Sequence, residues 1–273
     1  MVLPLALLGA LLLSFPGHDP LDLETGPKPV QFRTADGILL HAWYVHSGAH
    51  QEQEDKSKVP VVIALHMFRH TKESWQPLID PFRRQGIALL LVDMRGHGES
   101  KTGPKGEDLT AKVEKRDRQF FLDMHQDAAA AVAWLRKQGH RKQHIGLLGA
   151  SVGCSVAIDA CRRDPELQVT AVLTPGSQYL GVPTLEHLKN WGTRSLLVVS
   201  SREEARAGAE PILKLFEKQK EHQVESWFFE QKQIHGTRMF GKVEAVEDRL
   251  ATWFAAKLNR SLEPSEAPAG DHE

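Results

Sequence analysis

The sequence predicts an α/β protein built on a single doubly wound, mostly parallel eight-stranded sheet with helices on both faces. Three observations predict it. Short runs rich in Val, Leu and Ile alternate with longer helix-compatible stretches along most of the 273 residues. Several of these short runs are apolar at every position, as strands buried on both faces should be. No internal repeat and no linker interrupts the alternation, so one domain over residues 28–260 is expected.

The elements follow in order. Strand signals near Val30 to Arg33 and Ile38 to Tyr44 flank Ala35-Asp36-Gly37, and the Asp-Gly makes them an antiparallel hairpin at one sheet edge. Six more strands are expected at Val59 to Leu65, Ile87 to Val92, His144 to Leu148, Val169 to Leu173, Ser195 to Ser200 and Val224 to Phe229. Helices are expected at about Trp75 to Gln85, Arg118 to Lys137, Val152 to Arg162, Ala209 to Lys218 and Arg238 to Leu258. In the second, Phe121, Met124, Ala128, Val132 and Leu135 recur at three- and four-residue steps, which is a core-facing stripe. Pro175 to Arg194, between the sixth and seventh strands, is too short for a separate cap domain.

Charge and cysteine usage exclude several classes. With 34 basic and 35 acidic side chains there is no surplus to neutralise phosphates, so nucleic acid is not an expected partner. Cys154 and Cys161 fall two turns apart on one expected helix, about 10 Å, and cannot pair with each other. Residues 2–16, VLPLALLGALLLSFP, form an uncharged run too short to span a bilayer. Residues 1–18 are expected to be a signal-like or anchor segment, making the protein exported or membrane-associated; the other reading is an apolar arm on a cytoplasmic protein. Ser261 to Glu273 is acidic, proline-bearing and expected to be a disordered tail.

The sharpest chemical feature is Gly149-Ala150-Ser151-Val152-Gly153, directly after an expected strand and directly before an expected helix. This is G-x-S-x-G in the context where a tight turn lifts a serine hydroxyl out of a sheet. The pattern alone should arise in roughly one chain in ten of this length, so its position carries the argument. A serine nucleophile needs a base, and the base needs a third group to fix its tautomer. His235, in Gln233-Ile234-His235-Gly236-Thr237 between the last strand and the last helix, is placed to be that base. The acid should follow the seventh strand, where Val199-Ser200-Ser201-Arg202-Glu203-Glu204 holds no aspartate. Counting from the strand end favours Glu203, with Glu204 the alternative one residue on. His66 and His70 have H-x-x-x-H spacing, but no third ligand is in view and no metal or cofactor is expected.

Two further segments complete a resemblance. Asp93-Met94-Arg95-Gly96-His97-Gly98-Glu99-Ser100 follows the fourth strand, and Leu65-His66 with Trp75 follows the third. With the serine turn and His235 they resemble the α/β-hydrolase family over about residues 28 to 260. The resemblance implies the α/β-hydrolase fold and an acyl-enzyme on Ser151, with a small-molecule acyl substrate. It implies that Asp93, Arg95 and His97 hold loops, and that the oxyanion is bound by the backbone N–H groups of Val152 and of Phe68, or else Met67. Methionine stands at position 67 where the family usually has glycine, and it restricts φ there. The reaction so implied is carboxylic-ester hydrolysis, with amide, peptide and acyl-transfer chemistry as variants, in an open site. The rival is a hydrolase-fold protein that binds a ligand without turnover.

Overall fold

The computed structural model describes residues 26–48, 55–217, 219 and 222–259. The apolar segment at residues 1–18 and the acidic tail at 261–273 lie outside the described residues. Eight strands form one sheet: β1 (Lys28–Arg33), β2 (Leu39–Val45), β3 (Val61–Leu65), β4 (Ala88–Val92), β5 (Ile145–Ala150), β6 (Val169–Leu173), β7 (Ser195–Ser201) and β8 (Gln223–Phe229). Their spatial order is β1-β2-β4-β3-β5-β6-β7-β8. β1 and β2 are the antiparallel edge hairpin, β2 also runs antiparallel to β4, and the remaining pairs are parallel.

Among the described residues eight α-helices accompany the sheet: α1 (Ile79–Arg84), α2 (Thr110–Glu114), α3 (Arg118–Leu122), α4 (His125–Lys137), α5 (Val152–Arg163), α6 (Thr184–His187), α7 (Ala209–Phe216) and α8 (Val246–Leu258). The strand alternation divides the core between the faces. Val61, Ile63 and Leu65 join Leu135 of α4, Val156 of α5 and Ile212 of α7 on one face. On the other, Val62 and Ala64 join Phe82 of α1 and Phe254 of α8.

The helices differ from the expected ones in three places. The stretch from Arg118 to Lys137 is two helices, because the chain breaks at Asp123 and Met124. The first expected helix begins as a 3-10 segment, Lys72–Leu78, with Pro77 inside it, and turns α-helical only at Ile79. The last starts at Val246, because Gly236–Met239 is a 3-10 turn and Ala245 takes a left-handed φ of 51°. Between β6 and β7, the described chain holds only a 3-10 turn at Tyr179–Gly181 and the short α6.

The Asp93 to Ser100 segment is a buried brace. Asp93 accepts from the Lys72 backbone N–H at 2.8 Å and from its Nζ at 2.7 Å, tying the chain after β3 to the chain after β4. Arg95, 2% exposed, donates to Asp127 of α4 at 2.7 Å and to Asp36 of the edge hairpin at 2.8 Å. Ser100 donates its hydroxyl proton to the Asp93 carbonyl at 2.7 Å. One loop therefore fixes the hairpin, α4 and the segment after β3 against each other.

Candidate active site

The parallel strands all point their carboxyl ends to one edge, and the candidate residues converge there. Ser151 follows β5 with φ 53° and ψ −119°, a strained turn for a residue with a side chain. The turn is held by its backbone N–H, which donates to the Leu173 carbonyl of β6 at 3.0 Å. Both motif glycines are required by close approach. A Cβ on Gly149 would lie 2.2 Å from the Gly153 carbonyl oxygen, and one on Gly153 would lie 2.1 Å from that of Leu65. The start of α5 thus rests directly on the ends of β3 and β5. Cys154, one turn into α5, is fully buried with its Sγ 3.3 Å from the Gly149 carbonyl and 3.2 Å from that of Leu173.

His235 stands after β8, and its Nδ1 lies 2.5 Å from Glu204 Oε2. An ionised carboxylate only accepts, so Nδ1 carries the proton and Nε2 keeps a free lone pair. The expected acid, Glu203, is elsewhere: it is exposed, and its carboxylate accepts the Gln233 backbone N–H at 2.7 Å. The reason is strand length. β7 continues to Ser201, one residue past the expected end at Ser200, so the count from the strand end lands on Glu204. The Ser201 hydroxyl then accepts the Glu204 N–H at 3.2 Å and fixes the turn. Glu203 instead braces the loop that leads into His235.

The loop after β3 takes its shape from His66. This ring is wholly buried, and burial holds its pKa well below the ordinary value. Its Nδ1 donates to the Met67 carbonyl at 2.8 Å and its Nε2 accepts the Met94 N–H at 3.0 Å. Both ring nitrogens are occupied, which leaves none for a metal, and no group of three metal-ligating side chains occurs among the described residues. The Met67 carbonyl also accepts the His70 N–H at 3.1 Å, closing a turn. In a trans peptide the N–H points opposite the carbonyl, so the Phe68 N–H faces away from His66. The His66 carbonyl oxygen lies against Gly153, which turns the Met67 N–H away from α5. Val152 is the first residue of α5, where an N–H has no intrahelical acceptor. The positive φ of the loop falls on Arg69, at 57°, and not on Met67, so methionine there needs no unusual backbone.

Tyr179 was not singled out by the sequence, yet it meets the candidate residues. Its ring packs edge-on to His235 with centroids 6.1 Å apart. Its hydroxyl lies 3.5 Å from the Thr174 carbonyl. Burial pushes the phenol pKa up, so it remains a donor. Thr174 is also part of the frame: its hydroxyl accepts the Gly236 N–H at 3.0 Å. The only signal for Tyr179 was its place after β6, at the sheet edge where ligands bind. His70, which the sequence marked only for its spacing from His66, is half-buried; burial lowers its pKa first, with Arg238 and His235 adding to the effect.

Lys101 to Asp117 packs on the Gly96 turn through Leu109 and Val113. It also packs against the loop after β3, since Glu114 pairs with Arg69 and the Arg116 guanidinium lies 5.6 Å from the Phe68 ring centre. One flank of the site is walled rather than open.

A family model described as serine aminopeptidase, S33, matches residues 56–221, which include Ser151 and Glu204. The chain belongs to this α/β-hydrolase family. Among curated relatives, the chain is 30% identical over 148 residues to the thiohydrolase aneE of Aspergillus aculeatus, covering 54% of this chain and 41% of that one. It is 26% identical over 161 residues to the polyketide transferase ATR5 of Stachybotrys chlorohalonatus, covering 57% and 47%. These matches span less than half of either relative. In structure the chain is similar to the Pyrococcus furiosus esterase Pf2001, with a TM-score of 0.63 at 20% identity over 90% of this chain and 97% of that one. It is equally similar to the α/β hydrolase GrgF of Penicillium sp. sh18, at a TM-score of 0.63 and 17% identity over 85% and 99%. At such identities the likeness shows the fold alone.

Proposed function

We propose that this hydrolase cleaves a carboxylic ester of a small-molecule acyl substrate through an acyl-enzyme on Ser151. The observation that carries the reading is the His235 Nδ1 to Glu204 contact of 2.5 Å at the sheet edge that also holds the strained Ser151. Ser151 Oγ attacks the acyl carbonyl while His235 Nε2 takes its proton, and Glu204 holds the tautomer and stabilises the imidazolium. The carbonyl oxygen gathers negative charge between the N–H groups of Phe68 and Val152, each typically worth about 2.7 to 4 kcal/mol in the transition state. The protonated His235 then returns its proton to the leaving group. Water repeats the sequence on the acyl-enzyme and frees Ser151.

Thioester cleavage and acyl transfer share the same acyl-enzyme, and relatives named thiohydrolase and transferase place thioesters in the test panel. The non-catalytic alternative would draw on the glutamate at the acid position and on methionine at position 67. Against it, Glu204 reaches His235, and Met67 sits in ordinary backbone. The test is hydrolysis of short- and long-chain p-nitrophenyl esters and a thioester by wild type, Ser151→Ala and His235→Ala. Turnover by wild type alone supports the proposal. Folded, inactive wild type that also resists a fluorophosphonate probe at Ser151 overturns it in favour of ligand binding without turnover.

We further propose that the apolar segment at residues 1–18 directs export or membrane association. Fractionation of cells expressing the full chain beside a chain lacking those residues tests it: an unchanged distribution rejects the proposal.

A further inference from the structure

Gly236, directly after His235, has a φ of 54° and is buried between two neighbours. A Cβ there would lie 2.2 Å from the Met67 Sδ, 2.9 Å from its Cγ and 3.3 Å from the Ala150 Cβ. The Met67 side chain, 4% exposed, therefore covers the turn that carries His235, beside the residue that precedes Ser151. The same residue's carbonyl is held by the His66 ring and the His70 N–H, the two bonds that set the direction of the Phe68 N–H. One residue thus touches both loops that converge on the serine. A glycine at 67 could supply the carbonyl but would leave the Gly236 turn without cover.

We infer that Met67 is a positioning residue that couples the His235 loop to the loop bearing the Phe68 N–H. The inference rests on the proposed roles of Ser151 and His235. Met67 touches no substrate atom; it acts by seating Gly236, and hence the imidazole, at a fixed height over Ser151. Gly236 has a left-handed φ of 54° that strains any side chain, and the methionine also fills the space beside it. The two positions are in direct contact.

The test is a double-mutant cycle in the full chain with Met67→Ala, Gly236→Ala and both together, beside the volume-conserving Met67→Leu. Met67→Ala is expected to lower kcat by about ten- to a hundredfold, as displaced catalytic groups do, with KM within about twofold of wild type. Its acid limb in kcat/KM should shift, whereas Met67→Leu keeps both kcat and the pH profile. Gly236→Ala should lose more, and adding Met67→Ala should recover part of that loss, a non-additivity that marks direct contact. Wild-type kcat in a folded Met67→Ala, or losses that simply multiply in the double variant, overturns the inference. Should Gly236→Ala not fold, recovery of folded protein in the double variant supports the pair, and failure of both overturns it. If wild type itself is inert to every ester and to the fluorophosphonate, the proposed reaction falls. The contact is then judged by Tm alone: coupled shifts keep it, and additive shifts reject it.

Discussion

The serine turn and the acid turn are built on opposite principles. Around Ser151 the backbone decides everything: Gly149 and Gly153 are pressed against carbonyl groups, and the whole turn is buried. Around Glu204 the decision lies with half-exposed side chains, and two adjacent glutamates compete for two roles. A turn enforced by close packing penalises any side chain at its two glycines, whereas one selected by register depends on a single residue of strand length. The proposed mechanism needs both, since the nucleophile must be rigid while its base must pass through a charged state.

Substitutions can break this contrast, starting with the largest effect. Ser151→Ala should lower kcat on a p-nitrophenyl ester by about 10⁶-fold, read by steady-state kinetics, if the serine is the nucleophile. Glu204→Gln should cost about 10⁴-fold by favouring the wrong tautomer of His235, and Glu203→Gln should leave kcat within about threefold. Reversed magnitudes would return the acid role to Glu203. Gly153→Ala should destabilise the fold by about 1 to 3 kcal/mol or more in urea denaturation, because its Cβ meets backbone that cannot move aside. An unchanged midpoint would mean that α5 does not rest on β3 as described.

A smaller effect concerns pH and lies away from the site. His46 and His140 are buried, and burial lowers both pKa values to about 4, with nearby Lys56 adding to each. A ring whose folded pKa is depressed binds fewer protons than in the unfolded chain. Its stability contribution is complete above the unfolded value near 6.5 and is lost as pH falls through that value towards 4. Tm should therefore drop between these limits, and His140→Gln should flatten the drop even though it weakens the 2.8 Å contact with the Tyr44 hydroxyl. A Tm independent of pH over that range would contradict the burial of these rings.

The strands were legible because runs such as Val61–Leu65 and Ala88–Val92 are apolar at every position, which a sheet covered on both faces demands. The break between α3 and α4 was not, since Phe121, Met124 and Ala128 are all buried on either side of it and the apolar rhythm runs straight through. That Ser151 and His235 stand at the carboxyl edge of the sheet was legible from their places after β5 and β8. The glutamate that meets His235 lies one residue past the expected one, because no local pattern distinguishes Ser201 as the last residue of a strand from the first residue of a turn. Tyr179 escaped because a loop aromatic carries no periodic signal, and its role depends on Gly176, whose missing side chain leaves room for the ring. Met67, a departure from the resemblance, gained a physical account only once Gly236 was seen against it.

Cys154 and Cys161 are free, buried thiols, and burial raises both pKa values, that of Cys161 to about 11. Neither can meet an alkylating reagent while the fold is closed. Cys154 sits beneath the serine turn and Cys161 two turns further along α5, beside the Leu167 carbonyl at 3.2 Å. The protein therefore carries its own clock for conformational opening. If Cys154 is modified faster than Cys161 under native conditions, the turn breathes by itself; equal rates mean that the helix comes away as one piece.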